Sequence, residues 1–327
     1  MDRGAWEKLG PAPRIPSPAG AAASPGFPRS ILAFVRLGRP QFLVGGFVLF
    51  GLGAALAVTG GAPLDRWPYA WGQGVVTLTQ LMTHYANDYF DLEADRANLT
   101  PTRWSGGSRV LPGGTLAPVV ALRAAVTLLA AALGATLVLA HRAGLGPAVL
   151  AGAMIALAWE YSAPPGRFCA RGLGEAATAL VVTLMVPAFG YLLQARALAA
   201  PIFLAAALPC ALQFAMLLAI EFPDAAGDAA AGKRTLVVRM GARAAARLYA
   251  AVTLAAFGLA PIGALVGLPP RVALAPLVLA PIGIWQAIRV ARGGYGESAR
   301  WGSIAFWSVA LLIAGAALEL VATALGG

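Results

Sequence analysis

The chain has 327 residues, of which 59% are hydrophobic and only 12% are charged. That charged share is about half that of an ordinary soluble protein, and long apolar runs recur along the whole length. The composition therefore argues against a soluble globular enzyme and indicates a protein that spans a lipid bilayer several times. The formal net charge of +10 would suggest nucleic acid in a soluble protein, but basic loops beside a membrane explain it here, and we expect no nucleic-acid partner.

The N-terminal segment differs from the rest of the chain. It is rich in Pro, Ala, Gly and Ser and lacks an apolar core long enough for a cleavable signal peptide. We predict a disordered cytoplasmic tail over residues 1–30 and one membrane domain over residues 31–327. A bilayer span needs about 20 mostly apolar residues. The predicted spans are 41–59, 68–90, 116–140, 145–161, 173–194, 199–221, 244–267, 271–291 and 302–325.

These spans make the fold an all-α polytopic membrane protein with nine transmembrane helices. Of the 24 Lys and Arg residues, 20 lie in the N-terminal tail, in the loops after the second, fourth, sixth and eighth spans, or at the adjoining helix ends. Basic residues accumulate on the cytoplasmic side of membrane proteins. We therefore predict a multi-pass protein of the inner (plasma) membrane, with its N-terminus and these loops in the cytoplasm.

Acidic residues are concentrated in two short segments. Residues 87–95 and 221–228 hold seven of the 14 acids, each at the predicted cytoplasmic end of an even-numbered span. Asn87, Asp91 and Asp95 are spaced four apart, as are Asp224 and Asp228, so each set shares one helix face. Carboxylates stacked one turn apart repel each other unless a cation lies between them.

The cation best suited to these faces is Mg²⁺, which binds carboxylate and phosphate oxygens. The two cysteines, Cys169 and Cys210, and the two histidines, His84 and His141, have no metal-ligand spacing. Solvated acids at helix ends would explain either cluster alone. Two clusters at equivalent positions favour a site for Mg²⁺ and a diphosphate.

Basic and turn-forming residues follow each cluster in the sequence. Arg103, a Ser-Gly-Gly-Ser run and Arg109 come after the first, and Lys233 and Arg234 come after the second. Gly-rich backbone can approach a phosphate closely and Arg can bind it bidentately. Anchoring of the loops at the membrane surface would explain the same residues, so both interpretations stay open.

A third segment, Tyr-Ser-Ala-Pro-Pro-Gly-Arg at residues 161–167, is predicted on the same face. The double proline must end the fourth span. The segment could serve only as a stiff turn, or its Tyr161 could contribute to substrate binding, and both interpretations stay open.

These motifs resemble those of the UbiA-type intramembrane prenyltransferases. The family's first signature, Asn-x-x-x-Asp-x-x-x-Asp, is met by Asn87, Asp91 and Asp95, and its second, Asp-x-x-x-Asp, by Asp224 and Asp228. The resemblance covers roughly residues 30–325 and implies nine helices around a central cavity, with Mg²⁺ and an isoprenyl diphosphate beneath cytoplasmic loops. It implies that these five residues bind the metal.

Further roles follow from the same resemblance. The four Asp residues and Lys233 would be catalytic, and the substrate-binding set would be Asn87, Arg103, Arg109, Tyr161, Arg167 and Arg234. The family transfers the isoprenyl group to an aromatic or other lipophilic acceptor. The resemblance names no base for the acceptor proton: Glu221 and Asp88 are both possible, and an activated aromatic ring needs little help, so these alternatives stay open. Gly166 and Phe168 depart from the bulkier or more basic neighbours expected around Arg167.

Several sequence runs look most like the branch that prenylates 1,4-dihydroxy-2-naphthoate in menaquinone synthesis. They are Asn-Asp-Tyr-Phe-Asp, Ser-Gly-Gly-Ser-Arg-Val-Leu, Tyr-Ser-Ala-Pro-Pro, Arg-Gly-Leu-Gly-Glu and Gly-Lys-Arg-Thr-Leu. Acceptors of other branches, namely 4-hydroxybenzoate, homogentisate, chlorophyllide or a glycerol-phosphate lipid, stay open.

Two other classes of membrane protein compete with this family. A secondary transporter would place its acids near the middle of the membrane, whereas these acids lie at helix ends. A phospholipid head-group transferase would need a longer Asp-rich motif that the sequence lacks.

Overall fold

The computed structural model describes residues 27–326, which are mainly helical, contain no β-strand and have their longest non-helical connection at residues 98–117. Long apolar stretches with few turn signals between them produce this all-α architecture. The helices are α1 (Phe27–Leu37), α2 (Leu43–Thr59), α3 (Arg66–Phe90), α4 (Leu92–Ala97), α5 (Pro118–Ala143), α6 (Leu145–Glu160), α7 (Gly174–Ala195), α8 (Ala200–Glu221), α9 (Ala225–Ala230), α10 (Leu236–Met240), α11 (Ala242–Leu265), α12 (Pro270–Ala291) and α13 (Ser298–Ala324).

Two of the long helices change winding along their length. Helix α7 passes through a π-helical stretch at Ala179–Met185, and α12 through a 3₁₀ stretch at Ala275–Leu279. Shorter 3₁₀ turns occur at Pro40–Phe42, Phe168–Arg171 and Gly294–Gly296.

Seven helical segments within residues 27–326 are long and apolar enough to cross a membrane. They are Arg29–Thr59, which contains α2 and most of α1, and the helices α5, α7, α8, α11, α12 and α13. The predicted spans 68–90 and 145–161 correspond to α3, which carries many polar side chains, and to α6, which has only 16 residues. The prediction of a multi-pass all-α protein is confirmed, whereas the count of nine spans stays a prediction.

The N-terminal boundary lies earlier than the sequence suggested. Helix α1 begins at Phe27, so residues 27–30 of the predicted tail are helical. Pro28 is compatible with this start because the first helical turn does not use its N–H groups within the helix. The rest of the predicted tail, residues 1–26, lies outside the described residues.

Close contacts between small residues hold the first half of the bundle together. A Cβ placed on Gly53 of α2 would lie 1.8 Å from the carbonyl oxygen of Pro187 in α7, and one on Gly190 would lie 2.3 Å from that of Phe50. Glycine is therefore required where these helices cross. Such small residues let membrane helices approach backbone to backbone.

The second half of the bundle packs around a buried polar contact. The hydroxyl groups of Tyr249 in α11 and Ser308 in α13 are 2.8 Å apart, and Gln286 of α12 donates to the carbonyl oxygen of Ile304 over 2.9 Å. Buried polar groups need such partners, especially in an apolar environment. These bonds therefore fix how α11, α12 and α13 pack against one another.

The ends of α3 and α8 come together through the two short helices that follow them. Helix α4 packs against α9, and Gly227 of α9 lies so close to Asn98 that a Cβ there would be 2.8 Å from the Asn98 nitrogen. The two acidic segments therefore meet at one end of the bundle.

Candidate active site

The first acidic motif remains helical across the junction between α3 and α4. The amide of Asp91 donates to the Asn87 carbonyl oxygen over 2.9 Å, and the amide of Asp95 donates to that of Asp91 over 2.9 Å. The three side chains therefore lie on one face, as their spacing predicted. The Asn87 amide group donates to an Asp91 carboxylate oxygen over 2.7 Å.

The second motif forms a single helical turn after α8. The amide of Asp228 donates to the carbonyl oxygen of Asp224 over 2.9 Å. Asn98, which follows α4, donates from its side chain to a carboxylate oxygen of Asp224 over 2.7 Å. A residue adjoining the first motif thus holds the second in place.

Lys233 joins the two motifs directly. Its ammonium nitrogen lies 2.9 Å from a carboxylate oxygen of Asp91 and 3.5 Å from one of Asp228. The Lys233 side chain is only 14% exposed. Burial opposes its charge, but Asp91, Cys169 and Asp228 more than offset that effect and raise the pKa of Lys233. Lys233 is therefore a charged group at the centre of the site.

The glycine-rich segment after α4 folds over the carboxylates. The amide of Gly106 donates to Asp224 over 2.9 Å, and both the amide and the hydroxyl of Ser108 donate to Asp88. A Cβ on Gly107 would lie 1.9 Å from an oxygen of Asp95. The side chain of Arg109 donates to the main-chain carbonyl oxygen of Asp95. This segment therefore covers the first motif and contacts the second.

The structure adds Arg39 to the site. Its guanidinium pairs with Asp88, which is 1% exposed, and lies 3.4 Å from the side-chain oxygen of Asn87. In the sequence, Arg39 is one of many basic residues expected beside the membrane. Its position just before Pro40, far from either motif in the chain, gave no sign of this contact.

The segment after α6 borders the same cluster. Ser162 accepts a hydrogen bond from the Asn87 side chain over 3.1 Å, and the Cys169 sulfur lies 3.9 Å from Asp91. Burial, followed by the charge of Asp91, raises the pKa of the Cys169 thiol to about 12. The main-chain oxygen of Tyr161 accepts from the Cys169 amide over 2.9 Å. The predicted Tyr161 segment thus lies at the site, although Ser162 makes the closer polar contact.

A second pair of acids lies buried beside the cluster. Glu175 at the start of α7 is 1% exposed and Glu221 at the end of α8 is 8% exposed. Neither carboxylate oxygen of Glu175 has a hydrogen-bond partner within residues 27–326, and the same holds for Oε2 of Glu221. Burying a carboxyl oxygen without a hydrogen-bond partner costs folding free energy. These oxygens therefore mark a place where a proton or a ligand group is needed.

Three predicted substrate-binding residues do not contact the acids. The side chains of Arg103, Arg167 and Arg234 are exposed. The Arg103 guanidinium stacks over the ring of Trp104, 5.6 Å from its centre. The main-chain N–H of Arg234 donates to the carbonyl oxygen of Ala170 over 3.0 Å. Their roles as substrate ligands stay predictions.

The carboxylates of the site carry more negative charge than Lys233 and Arg39 offset. Burial, followed by the charge of Asp88, raises the pKa of Asp95 to about 8. Burial, followed by the charge of Asp228, raises the pKa of Asp224 to about 7, and burial also raises the pKa of Asp228. A cation would relieve this excess.

The arrangement suits a hard metal ion shared with a ligand. Within residues 27–326 no three His, Cys, Asp or Glu side chains are close enough to hold an ion alone. Mg²⁺ is usually held by one or two carboxylates together with substrate phosphates, and its other ligands are waters. Asp91 and Asp228, one carboxylate from each motif on either side of Lys233, match that manner of binding.

Comparison with known proteins decides the family. A model of the UbiA prenyltransferase family matches residues 46–321. The chain belongs to the UbiA prenyltransferase family. This membership confirms the prediction of a prenyltransferase and removes the transporter and head-group transferase alternatives. No curated protein sequence matches the chain significantly.

Solved structures of UbiA proteins share the fold. A structure of a digeranylgeranylglyceryl phosphate synthase has a TM-score of 0.61 and 14% identity, covering 90% of this chain and 99% of its own. A UbiA homologue from Archaeoglobus fulgidus bound to GPP and Mg²⁺ has a TM-score of 0.60 and 17% identity, covering 88% and 99%. The apo form of a homologue from Aeropyrum pernix has a TM-score of 0.59 and 18% identity, covering 82% and 97%.

Proposed function

We propose that this protein transfers an isoprenyl group from a prenyl diphosphate to a lipophilic aromatic acceptor, with Mg²⁺ as its cofactor. The observation that carries the proposal is the convergence of both Asp motifs on Lys233, with distances of 2.9 Å to Asp91 and 3.5 Å to Asp228. A diphosphate needs positive charge, which Lys233 would supply together with the Mg²⁺ that the surrounding carboxylates would hold. The Archaeoglobus homologue with GPP and Mg²⁺ shares the fold and supports the choice of ligands.

The donor set of the site fits the metal. Asp91, Asp95, Asp224 and Asp228, with Asn87, would hold Mg²⁺, which when bound supplies positive charge beside the diphosphate oxygens. Burial is the main cause of the raised pKa values of Asp95 and Asp224, and a bound cation would favour the charged forms of both carboxyl groups.

Lys233 stabilises the leaving group. As the allylic C–O bond ionises, the electron pair stays with the diphosphate, and the Lys233 ammonium stabilises that growing charge. Lys233 must turn partly from Asp91 and Asp228 toward the phosphate, so these carboxylates need another cation in the loaded enzyme. The main-chain N–H groups of the glycine-rich segment at residues 105–109 lie close enough to the acids to contact the same ligand.

The proton released by the acceptor needs a base. The acceptor ring attacks the allylic carbon, a C–C bond forms, and the attacking ring carbon then loses its proton. Asp88 is already bonded by Arg39 and Ser108, whereas Oε2 of Glu221 has no partner in the described part of the chain. Glu221 lies against Glu175, and two adjacent buried carboxyl groups tend to share one proton. We therefore assign the ring proton to Glu221 in the form of this pair in which it is ionised.

For the acceptor, we propose 1,4-dihydroxy-2-naphthoate and a place in menaquinone synthesis. The support is the resemblance of five sequence runs to that branch, and residues of each run contact or adjoin the site. A glycerol-phosphate lipid is the second candidate, because a digeranylgeranylglyceryl phosphate synthase shares the fold with a TM-score of 0.61. The two acceptors differ in whether the nucleophile is a ring carbon or a hydroxyl oxygen.

The test is prenyl transfer in membranes from a host that lacks both activities. Radiolabelled prenyl diphosphate is supplied with Mg²⁺ and with one acceptor at a time. We expect a labelled prenyl-naphthalene product that disappears with EDTA and in Asp224→Asn. Glu93→Gln is the control, since Glu93 is exposed and its one ion pair within residues 27–326 is with the exposed Arg96. Labelling of the glycerol phosphate alone would replace the proposed acceptor, and equal activity in both variants would contradict the site.

We also propose that the site faces the cytoplasm of the inner membrane. The support is the asymmetric distribution of Lys and Arg. Leu99 and Ala230 are exposed at the end of the bundle that holds the active site. Leu99→Cys and Ala230→Cys should therefore react with an impermeant thiol reagent only from the cytoplasmic side. Leu198→Cys, exposed at the other end of the bundle, should react only from outside, and the reverse pattern would overturn the orientation.

A further inference from the structure

Helix α1 lies across the site end of the bundle with an unusual exposed face. Ala33 and Leu37 are buried, and the Tyr85 hydroxyl of α3 donates to the Phe34 carbonyl oxygen over 2.9 Å. On the other face, large apolar side chains are between 40% and 61% exposed; they are Ile31, Leu32, Phe34 and Val35. An amphipathic helix of this kind lies in the membrane interface, with its apolar side chains in the lipid.

Beside this helix lies a pocket of about 220 Å³ lined by three arginines. Arg29 and Arg36 come from α1, seven residues apart and hence two turns along one face, and Arg109 comes from the glycine-rich segment. The rest of the lining is Leu32, Ala33, Val110 and Thr115. No carboxylate within residues 27–326 forms an ion pair with any of the three arginines.

The three arginines that line the pocket carry like charges, which an anion held between them would offset. A guanidinium group can donate two parallel hydrogen bonds to the oxygens of a phosphate group. Such charge-assisted hydrogen bonds are stronger than hydrogen bonds between neutral groups. Exposed apolar side chains border the pocket at Leu32, so the ligand that suits it has an anionic phosphate at one end and hydrocarbon at the other.

We propose that this pocket binds the phosphate headgroup of an anionic phospholipid. The site is separate from the catalytic carboxylates but is linked to them, because Arg109 also donates to the Asp95 carbonyl oxygen and the adjacent Ser108 bonds Asp88. A bound headgroup therefore restrains the segment that covers the first Asp motif. The proposal does not depend on which acceptor is prenylated.

The experiment measures lipid binding by the purified full chain in neutral detergent, without substrate. Phosphatidylglycerol and phosphatidylcholine of identical acyl chains are titrated, and bound lipid is counted by native mass spectrometry and by the rise in melting temperature. We expect phosphatidylglycerol alone to bind and stabilise. In Arg29→Gln/Arg36→Gln its affinity should fall about tenfold or more, with prenyl transfer in neutral detergent unchanged.

The matched control is Arg243→Gln/Arg292→Gln, which removes the same charge from exposed positions outside the pocket. Its phosphatidylglycerol affinity should stay within about twofold of the wild type. An equal loss in both double variants would mean diffuse surface charge and would overturn the site. Displacement of the lipid by an equal concentration of inorganic phosphate or pyrophosphate would mean a soluble anion site and would overturn the lipid as occupant.

Discussion

At the scale of single residues, Lys233 is the group on which the site depends most directly. It pairs with Asp91 and Asp228 in the absence of a ligand, and the proposed reaction places it against the leaving diphosphate. Both roles need a positive charge, but only the second needs that charge to act as the C–O bond breaks.

We expect Lys233→Met to lower kcat and raise the KM for prenyl diphosphate, with the acceptor KM unchanged. Charge on the leaving group grows during ionisation, so the lost contact costs more in the transition state than in the ground state. The variant should also lose up to about 3 kcal/mol of stability without Mg²⁺, because two buried carboxylates lose their partner. Mg²⁺ should restore more stability to this variant than to the wild type.

Steady-state kinetics and thermal unfolding with and without Mg²⁺ check this prediction. Arg243→Met, at an exposed position of the same end of the bundle, serves as the control for loss of one charge. Normal prenyl-diphosphate kinetics in Lys233→Met would mean that Lys233 only anchors the loop.

A second prediction at the residue scale concerns Gly107, in the glycine-rich segment at residues 105–109. Glycine is required there both by its φ of +72° and by the distance of only 1.9 Å that a Cβ would have from Asp95. Gly114 has a similar φ of +68° but open space around its Cβ position. The two Ala variants therefore share the backbone strain and differ only in the collision with Asp95.

We expect Gly107→Ala to raise the KM for prenyl diphosphate at least about tenfold. Gly114→Ala should lower the melting temperature slightly and leave KM unchanged. Titration of prenyl diphosphate at fixed Mg²⁺ measures the difference. Equal KM values in the two variants would show that the segment does not constrain Asp95.

At the scale of helices, the crossing of α2 and α7 is the contact most sensitive to size. Gly53 and Gly190 bring the two backbones together, and the core around them includes Phe50 and Phe189. Because α7 carries Glu175 at its first turn, a shift of this helix pair would also move that carboxyl group at the site.

We expect Gly53→Ala to destabilise the fold by about 1–3 kcal/mol, since its methyl group would collide with the Pro187 carbonyl oxygen and cannot move aside. Gly134→Ala, exposed in α5 with nothing within 4 Å of its Cβ position, should be neutral or stabilising by up to about 1 kcal/mol. Thermal unfolding in detergent compares the two. A Gly53→Ala protein as stable as Gly134→Ala would contradict the close crossing.

At the scale of the whole molecule, the excess charge of the site couples stability to pH and to metal. The pKa of Asp95 is raised to about 8 and that of Asp224 to about 7, both first by burial. A carboxyl group whose folded-state pKa is raised favours folding fully below its unfolded pKa, and this contribution is lost as pH rises through the folded pKa.

We therefore expect the metal-free protein to lose stability as pH rises through the folded-state pKa values, down to a plateau above about pH 9. Mg²⁺ needs deprotonated carboxylates, so the stabilisation it gives should grow from about pH 6 to about pH 8.5. Melting temperatures in EDTA and in Mg²⁺ across this range measure both effects. Asp95→Asn should flatten the metal-free dependence, and a metal-free protein that gains stability with pH would contradict the raised pKa values.

The amino-acid sequence by itself determined the helical class, the approximate helix positions and the five residues of the two Asp motifs. A long apolar stretch forms a helix in lipid because its backbone must satisfy its own hydrogen bonds there. The spacing of Asn87, Asp91 and Asp95 puts them on one face because an α-helix has 3.6 residues per turn. These are local properties, which is why helix bounds such as Leu43–Thr59 lie within a few residues of their predicted positions.

Only the tertiary structure decided which distant residues meet at the site. Arg39 reaches Asp88 across 49 positions of the chain, and Lys233 reaches Asp91 across 142. Arg103, Arg167 and Arg234 are, like Arg39, basic residues between predicted spans, but their side chains are exposed. The difference arises from how α1, α3 and α8 and the segments after them pack. That packing depends on long-range contacts such as Tyr85 with Phe34 and Gly227 with Asn98, which no local pattern encodes.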